Sequence, residues 1–424
     1  MARKIFISFL GTSDYELCRY VFADNHECTT RFVQEAIISH SCKGWTANDR
    51  IFIFLTENAK KTNWEKLTEA LGKIDSLPPV EAVDIPGEIS ERTIWDVFRI
   101  IYNKLRSGDS LLIDITHGFR SSPMLLLTLI NYSSFLRGTL VNRIYYGAFT
   151  SVRQKETDCA PVWDITDLVL LHEWTLAANE FLNFGNPGRI CTLARKSAIP
   201  HIADETKKES AKKITGFAAS VSKTADLFST VRGDRLFSAS DIRQVVYSSA
   251  EIEKLNFIAP MQPFMSKTIE KYAGFEENNV MNFLQSVKYC ICHGMIQQGI
   301  TFLQEGIISF ALERTSLQWH TNSIEQRTFV LINRQMCSGV LNYLCSSKSN
   351  ADKVWKWPPD YPADSIEKLV NDPFCLKIAG IYCTISEYRN DINHGGYICP
   401  REPQKFTAIL EKGYKMTLDA IKLC

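Results

Sequence analysis

The feature that most constrains this chain is where its β signal stops. Short apolar runs rich in β-branched and aromatic residues recur at Lys4–Leu10, Arg50–Thr56, Val80–Ile85, Ser110–Ile115, Arg143–Phe149 and Val162–Ile165, and beyond Ile165 they nearly vanish. Helical patterns separate several of these runs. Ser90 sits at an N-cap position before Ile94, Val97, Phe98, Ile101 and Leu105, which share one helix face, and Gly108 stops the pattern. Ser121–Leu136 reads as a second helix, apolar on its inner side. Strands alternating with helices predict a mostly parallel sheet covered on both faces, an α/β domain. A helix over Asp167–Asn183 follows, ending at Gly185. Lys196–Lys213 carries a Pro and many charges and reads as a boundary or exposed connector. After it, helical periodicity dominates in Asn279–Arg314, Ser323–Cys345, Pro373–Asn393 and Gln404–Leu423, so the C-terminal part is expected to be all-α.

Composition excludes several classes of function. With 45% hydrophobic residues, the 424-residue chain has ample surface to bury and is not a disordered protein. Its 48 basic and 47 acidic residues leave a net charge of +1, which rules out a globally basic nucleic-acid coat but leaves room for a local basic cleft. No run of 18 apolar residues is present, so no membrane span is expected, and Ile5–Leu10 is too short for a secretory h-region. Thirteen scattered Cys fit buried thiols in a reducing cytoplasm. The one tight cluster, Cys290-Ile291-Cys292-His293, lacks a second Cys/His pair, and no metal site is expected there.

Two constellations carry chemistry. The first strand ends in Gly11-Thr12-Ser13, and the Ser110–Ile115 strand ends in Asp114-Ile115-Thr116-His117-Gly118-Phe119-Arg120-Ser121-Ser122 before a helix. In a doubly wound sheet both loops lie beyond the carboxyl ends of the strands, where ligands bind. Glycines permit close backbone approach, hydroxyls and helix-start amides suit phosphate oxygens, and Arg120 adds charge. Ordinary βα turns braced by Asp114 and His117 would carry the same residues. Neither a dinucleotide fingerprint nor a P-loop is present.

The second constellation is Arg389-Asn390-Asp391-Ile392-Asn393-His394, closing a helix before Gly395. Of the eight His, only His394 has an Arg five positions before it. Asn390 and His394 stand at i and i+4, so the amide is placed to orient the imidazole. A helix C-terminus favours an imidazolium. Proton transfer by His394 beside the Arg389 cation suits metal-free RNA cleavage by attack of a ribose 2′-OH on the adjacent phosphate. A C-capping His with a surface Arg is the plainer alternative. Val354-Trp355-Lys356-Trp357-Pro358-Pro359 is an aromatic-basic cluster suited either to stacking bases or to packing a loop on the core. Glu305 either faces the Arg389–His394 pair or is an exposed helical side chain.

Taken together, these motifs resemble a known family. Asp114-Ile115-Thr116-His117-Gly118 is similar to the DxTHG signature of CRISPR-associated proteins, and Gly11-Thr12-Ser13 resembles the other ligand loop of the CARF domain. Arg389-Asn390-x-x-x-His394 resembles the ribonuclease motif of HEPN domains, and the order of the two domains is that of the CARF–HEPN ribonucleases of type III CRISPR systems. The resemblance implies a Rossmann-like CARF domain over residues 1–190, a connecting helical region over 191–258 and an all-α HEPN domain over 259–424. It implies a homodimer or higher even oligomer in the cytoplasm. Two CARF domains would share a pocket for a cyclic oligoadenylate, with cyclic tetra-adenylate favoured over cyclic hexa-adenylate. Gly11, Thr12, Ser13, Thr116, His117, Gly118, Arg120, Ser121 and Ser122 would line that pocket. Two HEPN domains would form a composite site from Arg389, Asn390 and His394 that cleaves single-stranded RNA without metal or cofactor once the activator is bound. The competing readings are a ligand-sensing regulator or binding module with no nuclease, which lacks a convincing helix-turn-helix, and a metal-dependent DNA nuclease, which lacks a carboxylate cluster.

Overall fold

The computed structural model describes residues 2–88, 90–149, 159–199, 208–253, 262–321, 323–347, 356–397 and 400–423. The chain divides into two compact units, Met1–His172 and Glu173–Cys424.

Among the described residues, the first unit is built on a sheet of eight strands: β1 (Lys4–Leu10), β2 (Cys18–Phe22), β3 (Glu27–Thr30), β4 (Arg50–Leu55), β5 (Val80–Asp84), β6 (Ser110–Asp114), β7 (Leu140–Gly147) and β8 (Cys159–Asp164). Their spatial order is β3-β2-β8-β7-β6-β1-β4-β5. The five strands from β5 through β7 are parallel. Beyond β7 the direction changes: β8 runs antiparallel to β7, β2 parallel to β8, and β3 closes the edge antiparallel to β2.

Alternation along the strands sorts the core onto two faces. Ile5, Ile7 and Phe9 of β1 join Phe52, Phe54, Leu111 and Ile113 on one face, against α4 (Glu91–Lys104) and α5 (Ser122–Arg137). Phe6 and Leu10 join Ile51, Ile53, Leu55 and Leu112 on the other, against α1 (Val33–Ser41) and α3 (Glu65–Leu71). Buried on both sides, the central strands are almost continuously apolar, the mark of a covered parallel sheet. Ser90 caps α4 as its position suggested: its hydroxyl accepts from Thr93 N at 3.2 Å, while Ser90 N donates to Thr93 Oγ1 at 2.7 Å. A three-residue turn, α2 (Glu57–Ala59), and a π-helical stretch at Lys60–Trp64 precede α3.

The sequence reading missed the β2–β3 hairpin and α1. The hairpin strands are short, with polar residues on one face, and they gain their partner only where β2 meets β8. Asn25 turns the hairpin in the left-handed region, at φ 64°.

From α6 (Asp167–Phe184) onward the described chain is helical. It continues through α7 (Gly188–Ala198), α8 (Lys208–Ser229), α9 (Gly233–Ser238), α10 (Ser240–Glu253), α11 (Gln262–Tyr272), α12 (Asn282–Cys292), α13 (Ile296–Arg314), α14 (Arg327–Ser347), α15 (Ala363–Val370), α16 (Pro373–Asn393) and α17 (Pro403–Leu423). Two expectations need correction. The charged stretch Lys196–Lys213 is not an exposed connector throughout, because Lys208–Lys213 opens α8 with Ala211 fully buried; residues 200–207 lie outside the described set. Asn279–Arg314 is not one helix but α12 and α13, broken where Gly294 takes φ 67°. The helices of the expected connecting region, α7 to α10, pack against one another and onto α11, within the second unit. Val354 and Trp355 lie outside the described residues, and Trp357 packs edge-on against Tyr343 at 5.5 Å. No helix among the described residues is long and apolar enough to cross a membrane.

Candidate functional sites

The first site forms where the strand order reverses. β1 has β4 on one side and β6 on the other, so the connections leaving β1 and β6 diverge and open a crevice at their carboxyl ends. Buried hydrogen bonds hold its floor. Ser8 and Asp114, both fully buried, are joined by a bond from Ser8 Oγ to Asp114 Oδ2 at 2.7 Å. Asp114 Oδ1 accepts from Thr116 N at 2.9 Å, and Thr116 Oγ1 accepts from Gly147 N at 2.8 Å, fastening the β6 loop to β7. One aspartate thus fixes both the β1 strand end and the start of the DxTHG loop.

The Gly11–Ser13 loop is held from below. Asn63 Nδ2 donates to Gly11 O at 3.0 Å and Ser13 O at 2.8 Å, and Gly11 N donates to the Tyr15 hydroxyl at 2.8 Å. The Tyr15 ring lies 4.7 Å from the His117 ring. Burial pushes the Tyr15 hydroxyl up to about 12, so it stays protonated. Burial also holds His117 below the ordinary imidazole range, against the pull of Asp114, and its Nε2 is buried with no hydrogen-bond partner. Gly118, at φ 123°, crosses close over β1: a Cβ there would stand 2.9 Å from Ser122 Oγ and 3.2 Å from Phe9 Cγ. α5 then begins without a side-chain cap, with Pro in its first turn and the buried Ser122 Oγ unpartnered.

Of the residues singled out from sequence, Ser13 and His117 line a common cavity of about 260 Å³ with Asp14, Tyr15, Tyr20 and Arg31. Gly11 reaches it through Tyr15. Thr12 is exposed, Thr116 spends its hydroxyl on Gly147, and Gly118 bends the loop. Arg120, Ser121 and Ser122 stand at the start of α5, outside that lining. Sequence reasoning missed Ser8, Tyr15, Arg31 and Asn63. None belongs to a motif, and Asn63 arrives from 50 residues away through the π-helical stretch.

The second site lies at the end of α16. Asp372 caps that helix by accepting from Cys375 N at 3.0 Å, and Pro373 occupies its first turn. The other end stops at His394, followed by Gly395 and Gly396 at φ 62° and 75°. Asn390 and His394 are both exposed, and Arg389 is half-buried with its Nε unpartnered. The Asn390 amide and the His394 imidazole make no hydrogen bond to each other; the link is from His394 N to Asn390 O at 2.9 Å. Asp391 points inward, 3.7 Å from Arg401, whose guanidinium also covers the Tyr388 ring at 4.6 Å. Tyr397, which sequence reasoning passed over, is 94% exposed three residues after His394. Glu305 does not meet Arg389: it pairs with Arg334 at 2.6 Å. A cation, an imidazole and an open aromatic face thus share one accessible helix end, equipped to move a proton and to balance phosphoryl charge. Among the described residues no group of three or more His, Cys, Asp or Glu side chains is placed to hold a metal.

Comparison with known proteins bears on the first unit. Residues 5–149 match the family described as CRISPR system endoribonuclease Csx1, CARF domain. The first unit therefore carries the match to a CRISPR-associated CARF domain. The CRISPR-associated protein MJ1674 of Methanocaldococcus jannaschii is 30% identical over 123 residues, which make up 28% of this chain and 19% of that protein's length. Among solved structures, Enterococcus italicus Csm6 bound to cyclic hexa-2′-fluoro-hexa-dAMP aligns over 99% of this chain and 93% of that one, at 10% identity and a TM-score of 0.44. The CARF match ends at the last described residue after β7, so it contains both loops of the switch-point crevice.

Proposed function

We propose that this CARF protein is an endoribonuclease switched on by a cyclic oligoadenylate. The observation that carries the reading is the placement of the Gly11–Ser13 and Thr116–Ser122 loops at the switch point of a domain that matches the sensor of an endoribonuclease family. The activator's phosphates meet Thr12, Ser13, the α5 start and Arg120, while its bases enter toward Tyr15 and His117. Cyclic tetra-adenylate is the favoured ring and cyclic hexa-adenylate the runner-up.

In the second unit, residues 259–424 act as a HEPN nuclease. His394 moves the proton, Arg389 offsets charge on the phosphate, and Asn390 contacts the RNA or the imidazole. Attack by the ribose 2′-OH breaks the bond to the 5′-oxygen of the next nucleotide, leaving a cyclic phosphate and a free hydroxyl, so no metal enters the balance. One chain supplies one Arg–His pair, and a second copy supplies the other. An apolar stripe on α5 supports self-association: Met124 and Phe135 are 77% and 79% exposed, with Leu127 and Leu136 between and beside them. Activation requires the activator to favour the cleaving arrangement over the resting one.

The test is cleavage of a fluorescent single-stranded RNA in EDTA, with and without each ring, by the parent and by His394→Ala. Cleavage that needs one ring and His394 is the expected result. An Ala variant that cuts at the parent rate would overturn the assignment, and binding of a ring with no cleavage would leave a sensor without this nuclease.

A further inference from the structure

A cavity of about 620 Å³ opens in the second unit, lined by one side of α13, the Trp319–Thr321 loop, the start of α14 and the Val231–Asp234 turn, whose Asp234 adds a carboxylate to the wall. Its chemistry is mixed in a specific way. Trp319 and Phe283 supply aromatic surface, with ring centres 6.2 Å apart. Arg327 is exposed at the mouth and has no ion-pair partner among the described residues. Deeper in, Arg334 is held by Glu305 at 2.6 Å and by Ser309 Oγ at 2.9 Å, so its guanidinium is already oriented. A flat ring beside a free guanidinium is what a nucleotide needs: base stacking on the aromatic face and a phosphate on the cation. A purely anionic ligand would not use the aromatic wall, and a purely apolar one would strand the charges.

The cavity's position connects it to the Arg389–His394 helix end. Gln297 Nε2 donates to Asn393 Oδ1 at 3.4 Å, and Gln304 Nε2 donates to Ser386 Oγ at 3.0 Å. These two bonds fix the antiparallel register of α13 on α16 and bring Arg389 level with Thr301. Thr301 lines the cavity, and so does Glu305 one turn further, roughly 6 Å along the helix at 1.5 Å per residue. The buried, unpartnered Nε of Arg389 lies at the same level of the bundle.

We propose that this cavity is a nucleotide subsite for the RNA strand, seating a base on Trp319 and its phosphate on Arg327 at the level of the bundle where Arg389 lies. The inference rests on the nuclease reading above and adds residues that select and position the substrate. Arg327 is a positioning residue, not a catalytic one.

The test uses the full-length protein and a fluorescein-labelled single-stranded RNA. Affinity is read by anisotropy in a His394→Ala background, where no cleavage is required, and cleavage is read separately in the parent background. Arg327→Ala is expected to weaken RNA binding about fivefold to tenfold and to lower the slope of log affinity against log salt by about 0.7, the loss of one single-strand phosphate contact. KM rises while kcat falls less, and cyclic oligoadenylate affinity is unchanged. Because Trp319 also packs on Phe237, Trp319→Leu is a second variant and is scored only alongside an unchanged melting curve. RNA affinity and salt slope both unaltered in Arg327→Ala would overturn the cavity assignment alone, provided cleavage still depends on His394. Loss of the His394 dependence overturns the nuclease reading, and the anisotropy result still judges the cavity.

Discussion

Replacing Ser8 with Ala tests whether the switch-point crevice is organised by one buried hydrogen bond. Ser8 and Asp114 are both fully buried, and the 2.7 Å bond between them is one of two that the carboxylate accepts from this loop system. A hydrogen bond to a charged group contributes about 1.5–3 kcal/mol, and its loss leaves Asp114 Oδ2 desolvated without a donor. Alanine fits the same space, so no cavity offsets or adds to that cost. Ser8→Ala should therefore destabilise the first unit by about 2 kcal/mol. With a urea slope of about 2 kcal/mol per molar, the midpoint of that unit's transition falls by about 1 M. Hydrogen exchange localises the effect. The Thr116 amide, bonded to Asp114 Oδ1, should exchange about thirtyfold faster, and affinity for the proposed activator should drop with it. The 424-residue chain has two units, so the transition is assigned by exchange rather than by a single global fit. A change below about 0.5 kcal/mol, with Thr116 protection intact, would refute the claim that this bond sets the loop.

Other consequences follow from the same geometry. Gly118→Ala puts a Cβ at φ 123° within 2.9 Å of Ser122 Oγ; it should cost about 1–3 kcal/mol and abolish binding of the proposed activator measured by calorimetry, and normal binding would contradict the tight crossing. Burial lowers the folded pKa of His117, so the unfolded chain binds the proton first as pH falls. Stability is then undiminished above the ordinary imidazole value near 6.5 and is lost progressively below it. His117→Asn should flatten that slope in melting curves between about pH 7 and pH 5, and an unchanged slope counts against a buried neutral His117. Replacing Met124 and Phe135 together with Glu should leave the fold intact by circular dichroism while converting the proposed dimer to monomer in sedimentation velocity, with loss of the proposed RNA cleavage. A double variant that still sediments as a dimer would move the interface off α5.

Much of the first site was legible because its parts are local. β1 and β6 are mainly apolar runs followed by small polar residues, and a strand buried on both faces looks like that in any sequence. The β2–β3 hairpin was not legible, since its pairing is decided at the sheet edge by β8, far along the chain. The second site was legible as a spacing, Arg389 to His394, ending at two glycines. The inner partners of that helix were not: Gln297 and Gln304 sit in an unremarkable periodic run, and only packing sets them against Asn393 and Ser386. Glu305 shows the same limit, because its i, i+4 neighbours say nothing about Arg334, which comes from another helix.

What the sequence determined by itself is therefore the α/β-then-α order, the position of the two small polar loops after β1 and β6, and the place of Arg389 and His394 at a helix end. Each depends on hydrophobic period, turn chemistry or capping within some ten residues, interactions that the chain makes with its near neighbours. The tertiary structure alone decided that Asn63 and Tyr15 hold the first loop, that Asp114 joins two strands through Ser8, and that Trp319, Arg327 and Arg334 surround one cavity. Asn63 is 52 residues from Gly11 and Asp114 is 106 from Ser8, and such groups come into contact because burying both faces of the sheet and the apolar sides of the helices leaves the backbone few places to go.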